Sequence, residues 1–158
     1  MKNTSAKFIT QAAIIAALYV VLTLLSNALG LANLQVQFRL SEALTILPAL
    51  FPASIPGLFI GCILANIFTG ALLPDIIAGS LATLVAAILT YKLRKNKYLS
   101  VLPPIICNTI VIPFVLRFAY GIGPLALSFL AIFASEVLSA GVGGMLLYNA
   151  IIKKRDYM

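Results

Sequence analysis

The sequence predicts an all-α integral membrane protein, a single bundle of six short transmembrane helices over residues 1–158. Of the 158 residues, 62% are hydrophobic and only 9% are charged, and the mean hydropathy is +1.10. Soluble domains carry about 25% charged residues. Because one spanning helix needs roughly 20 apolar residues, the chain has room for at most about six spans and for no attached soluble domain.

The first three helices are predicted from apolar runs and the prolines that separate them. The run Phe8–Leu29 is longer than the apolar region of a cleaved secretory signal, so we expect a retained helix. The mixed segment after it contains Arg39 and is predicted to be a loop or a re-entrant piece. Ser41 is a candidate N-cap for a short second helix that ends near Phe51. A third helix is expected from about 57 to 73.

The last three helices follow from similar boundaries. Asp75 is placed to cap a fourth helix that extends to about Tyr91, where a strongly basic run begins. The fifth helix is predicted over Leu99–Ala119 and is followed by the turn sequence YGIGP. The sixth is predicted over Leu125–Ile152, before the basic C-terminal tail.

The distribution of positive charge predicts that both termini are cytoplasmic. Nine of the eleven Lys and Arg residues lie at the N-terminus, in the loop after the fourth helix or at the C-terminus. These three places share one side of the membrane if four helices and then two helices separate them, and positive charge accumulates on the cytoplasmic side. Arg39 and Arg117 are then expected on the outer side.

The composition also argues against several kinds of chemistry. The chain has no histidine, and Cys62 and Cys107 lie inside apolar runs rather than in a metal-binding pattern. No phosphate-binding loop of the GxxxxGK[ST] type is present, so we expect ATP to be used only by a partner. We therefore expect neither an enzyme nor a cofactor-binding protein.

Three polar side chains are expected at a similar depth near the middle of the bundle. Glu136 lies twelve residues before Tyr148, which corresponds to roughly 18 Å of helix. Asn108 and Asn66 reach a comparable depth. A buried acid is costly and usually functional, which favours an interior binding site. The alternative for the two asparagines is that they only join helices through hydrogen bonds.

The outer loop holds a second group of candidate residues. Arg39 and Glu42 share a face if the second helix begins a turn early, and they could then bind a ligand or form a purely structural ion pair. Arg117 could also contact a ligand, or it could simply reach the outer lipid headgroups.

Small residues recur at four-residue spacing, a pattern that lets helices approach closely. In the third helix the pattern includes Gly57 and Gly61. In the first helix it forms two overlapping pairs, which are Ala12 with Ala16 and Ala13 with Ala17. Packing within the bundle explains most of these residues, but the alanines could also dock a helix of another protein.

Several segments resemble one family of membrane proteins. VQFRLSEALTILP, GCILANIFTG, PPIICNT and SEVLSAGVGG are similar to the QueT family, substrate-binding S components of energy-coupling factor (ECF) transporters. The resemblance implies a subunit of the cell membrane that captures a queuosine precursor, a 7-deazaguanine base, from outside. It also implies partnership with a membrane coupling protein (T component) and two cytoplasmic ATPases. The four alanines of the first helix would contact the coupling protein.

A deazaguanine ligand suggests roles for the polar residues. Either Glu136 or Glu42 could accept the adjacent N–H donors of the base edge, and the other could bind a cationic aminomethyl group. The carbonyl oxygen could accept from one of four side chains, which are Arg39, Arg117, Asn108 and Asn66. Since the chain has no tryptophan, ring stacking would come from Phe38, Phe114, Phe118 or Tyr120.

Three other interpretations stay open at the level of sequence. The chain could be an S component for a flavin, for thiamin or for another nucleobase. It could be a channel or carrier that works alone. An intramembrane enzyme, with Asp75 or Glu136 as its catalytic group, fits poorly because no histidine, metal-binding cluster or activated nucleophile accompanies them.

Overall fold

The computed structural model describes the backbone of residues 2–32 and 37–156 and the side chains of residues 5–32 and 37–154. Within these ranges the chain is helical apart from its connections and one isolated bridge between Ala32 and Gln37. The first five helices are α1 (Lys2–Ala28), α2 (Leu40–Ala49), α3 (Ser54–Phe68), α4 (Leu73–Lys92) and α5 (Leu102–Ala119, after a 3₁₀ turn at Leu99–Val101). The sixth helix, α6, has three consecutive segments, which are Leu125–Glu136, Val137–Gly143 and Gly144–Asp156.

The all-helical membrane bundle predicted from the sequence is therefore confirmed, although the helices differ in length. Four of them, α1, α4, α5 and α6, are long and apolar enough to cross a membrane. The 3₁₀ helix α2 has 10 residues and extends about 20 Å. Helix α3 has 15 residues and extends about 22 Å. Both are shorter than a hydrocarbon core of about 30 Å, because prolines and Gly70 limit them.

Two helix starts predicted from the sequence are wrong. Ser41 is not the N-cap of α2 but lies inside it, where its Oγ accepts a hydrogen bond from Thr23 Oγ1 at 2.8 Å. The N-cap of α4 is Leu72, and Asp75 lies inside the first turn of the helix. Both side chains instead accept hydrogen bonds from distant parts of the bundle, since buried polar groups need partners in an apolar interior.

Helices α1 and α3 pack at very short distance. A Cβ atom placed on Gly57 would lie 2.7 Å from the Ala12 carbonyl oxygen, and one on Gly61 would lie 2.9 Å from Tyr19 Cβ and 3.0 Å from the Ala16 carbonyl oxygen. No larger residue fits these positions without moving a helix. The close packing predicted from the small residues is therefore confirmed for this pair of helices.

The middle segment of α6 is a π-helix, which begins directly after Glu136. Such segments are rare and often occur at functional sites. At its end, Gly143 lies against Ala43 of α2, and the following Gly144 lies against Ile46. The wider turn thus connects the polar residue Glu136 to the position where Gly143 lets α2 and α6 approach closely.

Candidate functional site

The centre of the bundle contains a cluster of two carboxylates joined by an amide. Asn108 Nδ2 donates to Glu136 Oε1 at 2.9 Å and to Glu42 Oε2 at 3.3 Å. The hydroxyl of Tyr19 donates to the other oxygen of Glu42 at 2.5 Å. All four side chains are at most 5% exposed. We call these four residues the acid cluster.

The four members come from four different helices, so the cluster exists only when the bundle is assembled. Tyr19 is on α1, Glu42 in the first turn of α2, Asn108 on α5 and Glu136 at the end of the first segment of α6. Glu136 Oε2 is buried without a hydrogen-bond partner. An unpartnered carboxylate oxygen in an apolar interior is costly, which makes it a candidate contact for a ligand.

Arg39 lies beside the acid cluster and donates to neutral side chains. Its Nη1 donates to Asn66 Oδ1 at 3.2 Å, and its Nη2 donates to Gln37 Oε1 at 3.3 Å. The ion pair with Glu42 that the sequence allowed is not formed. The Asn66 Nδ2 also donates to the sulfur of Cys62 at 3.6 Å. This contact orients the side-chain amide whose oxygen accepts from Arg39.

A third buried carboxylate, Asp75, is held by Tyr120. The Tyr120 hydroxyl donates to Asp75 Oδ2 at 3.1 Å and accepts from the Leu72 N–H at 3.0 Å. Burial raises the pKa of Tyr120, which lies just past the end of α5, so its hydroxyl stays protonated and donates. Asp75 Oδ1 is buried and has no hydrogen-bond partner.

Two adjoining cavities contain these groups. The larger, which we call the vestibule, has a volume of about 320 Å³. The vestibule is lined by Thr23, Asn27, Ala32, Gln37, Arg39, Thr69, Gly70, Ala71, Asp75 and Tyr120. The smaller, the inner chamber, has a volume of about 10 Å³ and is bordered by Glu42, Asn108 and Glu136. Gln37 and Arg39 line both cavities and therefore separate them.

The charges around the cavities do not balance. Three carboxylates, Glu42, Asp75 and Glu136, line them, whereas Arg39 is the one Lys or Arg residue among the described lining residues. Fully ionised, this set has an excess of two negative charges. Buried charges without partners are unfavourable, so the site is suited to a ligand that brings positive charge or several hydrogen-bond donors.

Most of the candidate residues named from the sequence lie in this region, but three aromatic residues and Arg117 do not. Phe38 is half-buried, and it is not among the described residues that line either cavity. Phe118 is 81% exposed and stacks on Phe114, which is also exposed. Arg117 is exposed as well, and its Nη1 donates to the carbonyl oxygen of Gly123 at 3.4 Å. Tyr120 is therefore the aromatic candidate that lines the vestibule.

Sequence reasoning misses several polar residues at the site, among them Tyr19, Thr23 and Gln37, and it interprets Asp75 as a helix cap. One signal was available for Tyr19, because a tyrosine in the middle of an apolar span lies far from the interfaces where tyrosines usually occur.

A separate apolar groove runs along the surface of α1 and α3. It has a volume of about 670 Å³ and is lined by residues that include Ala12, Ala13, Ala16 and Ala17. Ala16 is buried against Gly61, whereas Ala13 and Ala17 are exposed. The four alanines thus divide into a pair that packs within the bundle and a pair that faces outward.

Comparison with known proteins identifies the family of the chain. The model of the QueT transporter family matches residues 9–153. A relative described as "Queuosine precursor transporter QueT", from Lactococcus lactis subsp. cremoris (strain MG1363), is 36% identical over 85 residues. That match covers 54% of this chain and 50% of the relative, so the chain spans about half the length of the curated protein it matches. No solved structure matches the chain. Because the family match extends over most of this multi-pass helical bundle, the chain belongs to the QueT transporter family.

Proposed function

We propose that this chain is the substrate-binding S component of an ECF-type importer and captures a queuosine precursor, a 7-deazaguanine base, at the outer face of the cell membrane. The observation that carries the proposal is the polar vestibule that leads to a buried, unpartnered carboxylate oxygen of Glu136. Family membership and the name of the Lactococcus lactis relative support the same ligand class.

The chemistry of the site matches such a ligand. A guanine-like edge offers adjacent N–H donors that a carboxylate accepts, and the ring carbonyl can accept from a guanidinium such as that of Arg39. A volume of about 320 Å³ lies at the lower end of the range of small-ligand pockets, about 300–1,000 Å³. The vestibule therefore suits a small planar solute better than a large one such as a flavin nucleotide.

The position of the vestibule supports entry from outside. Its lining residues come from the C-terminal end of α1, the start of α4 and the residue after α5, which lie together at one end of the bundle. The basic loop after α4 is at the opposite end of that helix. If the basic residues are cytoplasmic, as the positive-inside rule predicts, the vestibule opens to the exterior.

Release of the base into the cell requires work from partner proteins under this proposal. A ligand bound with a nanomolar Kd is held by about 12 kcal/mol, and the chain carries no phosphate-binding loop of its own. We assign this work to a membrane coupling protein and two cytoplasmic ATPases. The exposed alanines of the groove, Ala13 and Ala17, are the proposed contact with the coupling protein.

Direct binding measurements test the proposed function. The purified chain should bind aminomethyl-deazaguanine in isothermal titration, and Glu136→Gln and Glu42→Gln should each weaken binding at least about tenfold, the usual cost of losing a hydrogen bond to a charged group. Asp156→Asn, at the C-terminal end of α6, is the matched control for a lost negative charge and should bind like the parent. Equal affinity of all variants would refute this site.

Mass spectrometry of small molecules that copurify with the detergent-solubilised chain provides an independent test. We expect a deazaguanine base. Recovery of thiamin, a flavin or an ordinary nucleobase would show that the chain serves another substrate.

A further inference from the structure

The two cavities differ greatly in the size of the group they admit. A cavity of roughly 10–15 Å³ is needed to hold one water molecule. At about 10 Å³ the inner chamber admits a group no larger than a water molecule or an ammonium, and it excludes a bicyclic base. The vestibule, at about 320 Å³, is more than thirty times larger. A ligand with a small charged group at one end and a flat ring at the other would therefore place the charged group in the inner chamber and the ring in the vestibule.

We propose, on the basis of the function proposed above, that the base binds with its amine first. The ammonium of the aminomethyl group occupies the inner chamber between Glu42 and Glu136, and the ring system stays in the vestibule. There Asp75 accepts the N–H donors of the guanine-like edge, and Arg39 faces the ring carbonyl. Asp75, which the sequence analysis interprets as a helix cap, thus becomes the residue that recognises the base.

The acid cluster is suited to an ammonium. Glu42 and Glu136 both accept from Asn108 Nδ2, at 3.3 and 2.9 Å, so the two carboxylates lie at one end of the site rather than at opposite ends. Glu136 Oε2 still lacks a donor. An ammonium provides three donors and one positive charge, which satisfies this oxygen and reduces the repulsion between the two carboxylates.

Asp75 is suited to the edge of the base. It lines the vestibule and is 2% exposed, Tyr120 holds its Oδ2, and its Oδ1 has no partner. One helical turn later, a Cβ atom on Gly79 would lie 3.4 Å from Asp75 Oδ1, so the glycine leaves this oxygen uncrowded. Gly79 itself lines the inner chamber. Asp75 therefore lies where the two cavities meet, within reach of a ligand that enters both.

Two ligands and two variants test the orientation. The ligands are aminomethyl-deazaguanine and its uncharged isostere, hydroxymethyl-deazaguanine. Where a ligand binds too weakly for direct titration, its affinity is measured by competition with the tighter ligand. We expect the parent to bind both and to prefer the amine. Glu136→Gln should weaken the amine at least about tenfold more than the isostere, because the lost charge faces only the ammonium. Asp75→Asn should weaken both ligands by a similar factor, since both present the same edge.

The opposite pattern would overturn the proposal. If Asp75→Asn weakened only the amine while Glu136→Gln weakened both ligands equally, the base would bind in the reverse orientation. Failure of the parent to bind the isostere would also refute it, because contacts in the vestibule should hold an uncharged base. Failure of the parent to bind either ligand would instead refute the proposed function.

Two further variants protect the experiment against misfolding. Tyr120→Phe removes the donor to Asp75 Oδ2 and keeps the carboxylate, so it should weaken both ligands by a similar factor, but less than Asp75→Asn does. Glu42→Gln should repeat the selective loss of the amine seen with Glu136→Gln. If these two variants folded normally and showed neither effect, the assignment of the two cavities would be wrong.

Discussion

Each buried carboxylate in this bundle is held by uncharged hydrogen-bond donors. Glu42 accepts from Tyr19 and Asn108, Glu136 from Asn108, and Asp75 from Tyr120. Neutral donors lower the cost of burial but supply no countercharge. These hydrogen bonds therefore support the acids structurally and, under the proposed function, leave the positive charge to be supplied by the ligand.

The Tyr19 hydroxyl is expected to contribute to both folding and binding. Tyr19→Phe leaves Glu42 Oε1 without this donor, and an unsatisfied buried acceptor costs about 1–3 kcal/mol. We expect a lower melting temperature in detergent and weaker binding of the base. Tyr98→Phe, at a side chain that is 67% exposed, is the matched control and should change neither. An unaltered melting curve for Tyr19→Phe would mean that the hydrogen bond is not stabilising.

Residue depth, counted along the helices, could be read from the sequence, but lateral contacts could not. Glu136 and Asn108 were expected at one level, and they do contact each other. Arg117 and Arg39 are both predicted on the outer side as candidate ligand contacts, because neither fits the cytoplasmic distribution of positive charge. In the structure Arg117 is exposed on α5, whereas Arg39 borders both cavities. Counting along a helix gives height in the bundle, whereas the direction of a side chain depends on rotations that only packing determines.

At the scale of elements, the contact between α1 and α3 depends on the absence of side chains. Gly61→Ala should destabilise the bundle by about 1–3 kcal/mol, because its methyl group would overlap Ala16 and Tyr19. Gly144→Ala is the matched control, since the added atom would meet Ile46 at an ordinary 3.5 Å. Thermal unfolding in detergent should separate the two variants. Similar melting temperatures would show that α1 and α3 can move apart at little cost.

The groove on α1 predicts different outcomes for neighbouring alanines. Ala13→Trp and Ala17→Trp should fill the groove without entering the buried contact between α1 and α3, so we expect normal binding and loss of uptake when the chain is expressed with the proposed coupling module. Ala16→Trp should reduce binding as well, because Ala16 is buried against Gly61. Uptake measured with radiolabelled base, beside titration of the purified variants, distinguishes the cases. Normal uptake by Ala13→Trp and Ala17→Trp would exclude this surface as the contact.

Helix positions were more predictable than helix types. The apolar runs locate the six helices, because hydrophobicity decides what enters a membrane. The third helix is the exception in length, since it ends at Phe68 rather than near residue 73. No sequence pattern predicts that α2 is a 3₁₀ helix or that α6 contains a π segment at Val137–Gly143. The two irregular segments contact each other through Gly143 and Ala43, and contacts between distant parts of the chain do not follow from local sequence patterns.

The orientation of the bundle in the membrane is a prediction that chemical labelling can check. A single cysteine at Lys95 should react with an impermeant maleimide only in inverted vesicles, and one at Gly123 only in intact cells. A background with Cys62 and Cys107 replaced by alanine removes other thiols. Labelling of both positions from the same side would require a different number of crossings.

The isolated chain should bind its ligand without transporting it. In proteoliposomes that contain only this protein, we expect saturable binding and no accumulation of labelled base, whereas added coupling protein and ATPases should produce ATP-dependent accumulation. Sustained flux through the chain alone would indicate a channel or carrier instead.

Tyr19 connects two parts of the molecule that have been described separately. Its Cβ is the atom that a larger residue at Gly61 would strike, and its hydroxyl reaches Glu42. Separation of α1 from α3 would therefore also move a donor away from Glu42, the acid that we propose binds the ligand. Under that proposal, ligand occupancy and the spacing of these two helices are thermodynamically linked, and the linkage is reciprocal. A bound ligand would then hold the helix pair together, and a protein that separates the pair would weaken ligand binding.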